Sequence, residues 1–342
     1  MAGGSAEPPR GQPARVVFLG TPDFAIPILR ALVASPLVAV ALVVTQPDRP
    51  AGRGRRLTPP PVQAAATAAG LDVYQPERLR GVAALDRLAA AAADLFVIAA
   101  YGQLLRPAVL ALPPRGCLNV HPSLLPRHRG PAPVAAAILA GDRETGVTIM
   151  LTDAGMDTGP ILAQRRLPLT GRETTAGLTP ALFDLGADLL IETIPAWLGG
   201  ALTPTPQDES RATVSRLFAR EDGRVDWRRP ASEIARRVRA LNPWPRAYTY
   251  FAGARLLLLD AREGDAGTPA AEVDPGTVVG ATAEGFLVRA GEGAVLVTEV
   301  QAAGRRPVAA REFARANPAL RGAILRSEPS PRAAEPEMGE TA

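Results

Sequence analysis

Short apolar runs punctuate the first half of the chain, and helical spacing fills the gaps between them. Residues 15–20 (RVVFLG) end in Gly, which predicts a buried parallel strand and a turn. From Pro22 to Ser35 the spacing becomes helical, with Phe24, Ile28, Leu29 and Leu32 on one face. Further buried strands are expected over Val38–Thr45, Asp94–Ala99 and Cys117–His121, with an Ala-rich helix over 82–93. Thr145–Thr152 reads as a later strand and Ala176–Trp197 as a long amphipathic helix. Strands alternating with helices predict a doubly wound, mostly parallel α/β sheet.

The texture changes after residue 200. Residues 201–210 (ALTPTPQDES) are polar and Pro-rich, which reads as a linker. A helix is expected near Ser232–Leu241. Short strands then follow at close spacing, over Arg255–Leu259, Gly276–Val279, Gly285–Val288 and Ala294–Val300. Gly-rich turns separate them, the pattern of a small β-barrel. The expected organisation is a disordered lead (1–14), a catalytic domain (15–200), a linker (201–213), a barrel (214–326) and a disordered tail (327–342). No apolar run reaches the roughly 18 residues that a membrane helix needs, and the N-terminus lacks the apolar core of a secretory signal. A cytoplasmic, monomeric protein is expected.

Composition excludes several chemistries. All 38 basic residues are Arg, so Schiff-base formation and a P-loop lysine are ruled out. The chain has one cysteine, Cys117, which leaves no intrachain disulfide and no Cys-based zinc site; no metal is expected. Only two histidines exist, His121 and His128. Charge is uneven: residues 214–326 hold 18 Arg against 13 acids, net +5, which suits a polyanionic partner. Residues 46–62 (QPDRPAGRGRRLTPPPV) add a local cluster of Arg49, Arg53, Arg55 and Arg56. Their Gly and Pro content predicts a long loop at the carboxyl edge of the sheet, where open α/β sheets bind ligands.

The chemistry-bearing stretch is 116–160. Asn119 and His121 stand two apart on a predicted strand, so they share a face, and Pro122 ends the strand beside them. Such a pair serves equally well as a satisfied core contact. Asp153 and Asp157 flank a Gly turn, where an Asp is more often structural. Taken together, an amide, an imidazole and a carboxylate suit acyl transfer. Asn and His can donate to an oxyanion, and a carboxylate can orient a water for proton transfer. No G-x-S-x-G signature or Cys–His pattern points to a covalent intermediate, so direct transfer between two bound substrates is expected.

The run N-V-H-P-S-L-L-P-R-x-R-G-x-x-P (119–133) and E-T-G-V-T-I-M-x-x-D-x-G-M-D-T-G (144–159) resemble the 10-formyltetrahydrofolate-dependent formyltransferases. F-L-G-T-P-D-F-A (18–25), Q-P-D-R-P-A-G-R-G (46–54), Asp226–Trp227 and the stretch Arg239–Pro245 resemble the branch that formylates methionyl-tRNA. The resemblance spans about residues 15–320. It implies a Rossmann-like domain followed by an OB-like barrel, with 10-formyltetrahydrofolate as formyl donor and charged initiator methionyl-tRNA as acceptor. It also implies catalytic roles for Asn119, His121 and Asp157, in preference to Asp153. Ser123, Leu124, Leu125 and Pro126 would line the folate site, and the 46–62 loop and the barrel would contact tRNA. Arg55 and Arg56 stand where the family often has Lys, and His128 stands where it usually has an aromatic residue.

Three other readings compete. A formyltransferase for a small amine, such as glycinamide ribonucleotide or an amino sugar, would share the catalytic residues but needs no basic loop. A catalytically dead tRNA-binding protein would not need the intact constellation. An NAD-dependent enzyme would need phosphate-cradling glycines that F-L-G-T-P-D-F lacks.

Overall fold

A computed structural model describes residues 12–51, 56–265 and 273–328. Arg53 and Arg55 lie outside the described residues, as do most of the expected lead and tail. The chain divides into two compact units. Met1–Val134, Arg143–Leu169 and Gly177–Arg216 form the first; Ala135–Asp142, Thr170–Ala176 and Leu217–Ala342 form the second.

The first unit is built on strands β1 (Ala14–Gly20), β2 (Val38–Val44), the ribbon strands β3 (Arg49–Ala51) and β4 (Arg56–Thr58), β5 (Val73–Tyr74), β6 (Leu95–Ala99), β7 (Cys117–His121), β8 (Glu144–Leu151) and β9 (Ile161–Pro168). Seven of these make one sheet in the order β5-β2-β1-β6-β7-β8-β9. From β5 to β7 every pairing is parallel, whereas β7–β8 and β8–β9 are antiparallel. Val16, Val17, Phe18 and Leu19 are all fully buried, because both faces of the sheet are covered. Chain order reverses between β1 and β6, which puts the crevice of an open α/β sheet at their carboxyl ends. There Thr21 Oγ1 donates to the Tyr101 carbonyl at 2.9 Å.

Helix α1 (Ile26–Ala34) follows a 3-10 turn over Asp23–Ala25, so the expected helix from Pro22 starts later. The described flanks of the basic loop are strands. Arg49 pairs with Thr58 and Ala51 with Arg56, making an antiparallel ribbon, and helix α2 (Pro61–Ala68) follows directly. The stretch read as a linker pairs within the first unit: Thr205 and Ile161 exchange two backbone hydrogen bonds, both 2.8 Å.

In the second unit, helix α7 (Ala231–Ala240) precedes strands β10 (Ala247–Phe251), β11 (Ala254–Gly264), β12 (Val278–Ala281), β13 (Phe286–Arg289), β14 (Ala294–Ala302) and β15 (Val308–Ala309). The sheet order is β10-β11-β14-β13-β12, with β15 paired to β14. Residues 323–326 then join its two edges. Tyr250 and Arg326 exchange backbone hydrogen bonds at 2.9 and 3.0 Å, while the Leu325 amide donates to Gly276 at 2.8 Å. This closure gives the barrel-like form. Trp227 anchors its core among Val225, Phe286, Val295 and Val297, and its Nε1 donates to Thr249 Oγ1 at 3.1 Å. Among the described residues, no helix is long and apolar enough to cross a membrane.

Helix α6 (Thr175–Leu198) backs β7 through Gly186, where a Cβ would stand 2.6 Å from Val120 Cγ1. Gly186→Val should therefore overpack this contact and lower stability by about 1–3 kcal/mol. Urea unfolding followed by circular dichroism measures it, and an unchanged midpoint would show that α6 can move away from the sheet.

Candidate functional site

Alternation along β7 sends Leu118 and Val120 to one face of the sheet and Cys117, Asn119 and His121 to the other. Val120 meets α6 on its face. Asn119 is half-buried and His121 buried on theirs. β6 pairs with β7 only as far as Asn119, so His121 projects past the end of its parallel neighbour. Asp157 comes from the turn after β8. That turn is tied at its base, where the Thr152 amide donates to the Cys117 carbonyl at 2.8 Å and the Leu151 amide to Pro160 at 3.0 Å. Gly159 is required there: a Cβ would lie 1.8 Å from the Leu151 carbonyl oxygen.

The three side chains converge. Asn119 Nδ2 donates to Asp157 Oδ1 at 3.2 Å. His121 Nδ1 faces Asp157 Oδ2 at 3.6 Å, an ion-pair distance too long for a hydrogen bond. The Gly130 amide donates to that same Oδ2 at 2.8 Å. His121 Nε2 lies 3.0 Å from the His128 carbonyl, an acceptor only, so Nε2 carries a hydrogen in this geometry. The ring is thus anchored through Nε2, with Nδ1 facing the carboxylate. Asp157 itself adopts φ +54°, a conformation uncommon for a residue with a Cβ.

Asp153 is placed differently. Its Oδ1 accepts from the Gly155 amide at 3.0 Å and Thr158 Oγ1 at 2.7 Å, which spends it on the turn. The 123–126 segment follows β7 and is moored to β8 and β9. Thr148 Oγ1 donates to the Ser123 carbonyl at 2.7 Å and accepts from the Leu125 amide at 3.1 Å and Gln164 Nε2 at 2.8 Å. Ser123 Oγ donates to the Arg127 carbonyl at 2.7 Å. Leu124 and Pro126 are half-buried and Leu125 buried. His128 is buried in a left-handed conformation, and its amide donates to Thr213 Oγ1 at 2.8 Å. Arg49 and Arg56 are exposed on the ribbon. Arg49 reaches Glu77 at 3.2 Å, a surface pair worth at most about 1 kcal/mol. Cys117, two residues before Asn119, is buried, and burial pushes its thiol up to about 12. Among the described residues, no cluster of three His, Cys, Asp or Glu could hold a metal ion.

Residues 14–194 match the Formyl transferase family, and residues 218–318 match the formyl transferase C-terminal domain. The chain belongs to the formyl transferase family. A methionyl-tRNA formyltransferase from Roseiflexus sp. (strain RS-1) is 52% identical over 303 residues, covering 89% of this chain and 92% of that relative. Two solved structures share the fold. The N-formyltransferase from Helicobacter canadensis, in complex with folinic acid and dTDP-3-aminofucose, superposes with a TM-score of 0.60 at 15% identity, covering 82% of this chain and 98% of its own. HypX from Aquifex aeolicus, in complex with tetrahydrofolic acid, does so with a TM-score of 0.57 at 19% identity, covering 90% and 47%.

Several residues around the centre are not singled out by the sequence. Thr148 and Arg129 lie inside the two motifs of the resemblance with no role assigned to them, Gln164 reads as an ordinary polar position, and Gln207 lies in the stretch read as a linker. Motif membership is the one signal for Arg129, which the structure shows buried against Glu209 at 2.7 Å.

Because the Cys117 thiol is buried and held neutral, Ellman's reagent at mildly alkaline pH should leave the native protein unmodified and titrate one thiol after urea unfolding. Rapid labelling of the native protein would show that β7 opens to solvent.

Proposed function

We propose that the chain transfers the formyl group of 10-formyltetrahydrofolate to the α-amino group of methionyl initiator tRNA. The observation that carries this reading is the 52% identity to a methionyl-tRNA formyltransferase, which covers 92% of that relative and hence both of its domains. The folate is a substrate, the formyl donor.

The donor geometry supports a direct transfer. The amine nitrogen attacks the formyl carbon, a C–N bond forms, and the carbonyl oxygen takes up negative charge. Asn119 Nδ2 and His121 Nδ1 both face Asp157; Asn119, together with His121 in its imidazolium form, which carries a hydrogen on each ring nitrogen, donates to that oxygen. The Asp157 carboxylate accepts the amine's proton through a water. The bond from the formyl carbon to the folate nitrogen then breaks, and Asp157 returns the proton through water to that departing nitrogen. Cys117 takes no part, since its neutral, buried thiol offers no nucleophile.

Ser123, Leu124, Leu125 and Pro126 line the folate site in this reading; their mooring through Thr148 and Gln164 supports a rigid wall beside His121. Arg49, Arg53, Arg55 and Arg56 contact the tRNA acceptor end. Residues 15–200 carry catalysis and residues 214–326 hold the tRNA body, supported by their net charge of +5.

Asn119→Ala should lower kcat by about 10²–10³-fold with little change in KM, the loss of one oxyanion donor. Near-normal turnover would remove Asn119 from that role. Formyl transfer offered in parallel to charged initiator tRNA, charged elongator methionine tRNA and free methionine should proceed only with the first. Transfer to a small amine instead would keep the centre and change the acceptor. Arg56→Ala should weaken tRNA use and flatten its salt dependence without altering folate binding.

A further inference from the structure

Asp157 carries its carboxylate on a left-handed residue that its own backbone does not favour. Something outside the turn must hold it, and the side chain that does so is Gln207. Gln207 Nε2 donates to the Asp157 carbonyl at 2.8 Å and to the Gly159 carbonyl at 2.7 Å. Its Oε1 accepts from Arg129 Nε at 3.0 Å and Nη2 at 2.9 Å. Both hydrogens and both lone pairs of the carboxamide are thereby used. The arrangement has one sense only. Turned over, the carboxamide would set its NH2 against a guanidinium and its oxygen against two carbonyls.

Arg129 in turn is buried, and its remaining donors go to Glu209 at 2.9 and 2.7 Å. Those bonds push the Arg129 guanidinium above its usual range, so it stays charged. Its own backbone is clamped by Thr213 and Ser215: the Arg129 amide donates to the Thr213 carbonyl at 2.8 Å, and the Ser215 amide donates to the Arg129 carbonyl at 2.7 Å. The next residue, Gly130, supplies the amide that holds Asp157 Oδ2. The same short segment therefore grips Asp157 twice, at its carboxylate through Gly130 and at its carbonyl through Arg129 and Gln207.

We infer that Gln207 is a positioning residue for Asp157, aimed by the Glu209–Arg129 pair, and that it sets the height of the carboxylate opposite Asn119 and His121. Gln207 touches neither reacting group, so its effect must pass through Asp157. The inference rests on the assignment of Asp157 to the reaction.

The test is Gln207→Glu, which keeps the size and the Arg129 contact but turns a carboxylate oxygen toward the two carbonyls. With charged initiator tRNA and 10-formyltetrahydrofolate, kcat should fall about 10–100-fold, with KM for both substrates within about twofold. In an Asp157→Asn background the same change should cost almost nothing further, because the two residues act as a unit. The amide resonance of Gly130 gives a readout that needs no turnover. It should shift in Gln207→Glu and in Asp157→Asn, while barrel amides stay in place. An undiminished kcat, an equal fractional loss in both backgrounds, or an unmoved Gly130 resonance would overturn the inference. A shifted Gly130 resonance with an inactive wild-type protein would instead uphold the positioning contact and overturn the proposed reaction.

Discussion

A single carboxylate organises the centre. Asp157 collects a donor from the Asn119 amide, another from the Gly130 backbone, and the facing edge of His121. These groups come from a strand, a loop and that strand again, brought together by no local sequence. The carboxylate is half-buried and hydrogen-bonded on both oxygens. It also holds the donors apart from one another. Asn119 donates to it and the Nδ1 edge of His121 faces it, so in the resting protein this carboxylate fills the place that both side chains face.

The demand for precision at Asp157 accounts for features of the fold that otherwise look arbitrary. The sheet changes from parallel to antiparallel at β7–β8, so β8 runs back along β7 and delivers the 152–160 turn over the strand it has just paired with. Gly159 lets the chain pass against the Leu151 carbonyl, where no Cβ fits. Thr148, also on β8, spends its hydroxyl on the 123–126 segment. One strand thus fixes both the turn that carries the carboxylate and the wall that follows His121.

The parallel core was legible because its strands are buried on both faces and read as unbroken apolar runs, as at Val16–Leu19. β9 was not, since Gln164, Arg165 and Arg166 interrupt it and alternate residues face solvent. The ribbon of β3 and β4 hid for another reason: Gly and Pro mark a loop statistically, yet its ends are held by backbone pairing that any side chain permits. The spacing of Asn119 and His121 on β7 was visible from period-two alternation alone. Asp157 was not separable from Asp153 on chemistry, because both are acids beside a turn. What separates them is which one turns inward, and that depends on a left-handed backbone and a glycine three-dimensional in its effect. Gln207 was the least visible, as its amide donates to main-chain carbonyls, which every residue possesses, and its one side-chain partner, Arg129, lies far away in sequence.

The absence of lysine sharpens the division between the two tasks of the molecule. Every cation able to meet a phosphate is a guanidinium, charged throughout the range in which the protein works. Attraction for a polyanion therefore responds to salt, which screens it, and hardly to pH. The candidate centre differs: its imidazole and carboxylate sit where burial weakens screening by salt. In the proposed reaction, salt therefore acts on the attraction for tRNA more than on the chemical step. The Arg129–Glu209 pair lies between the two: a buried guanidinium meets Gln207, which donates to the carbonyl of Asp157, the carboxylate that handles a proton in the proposed reaction.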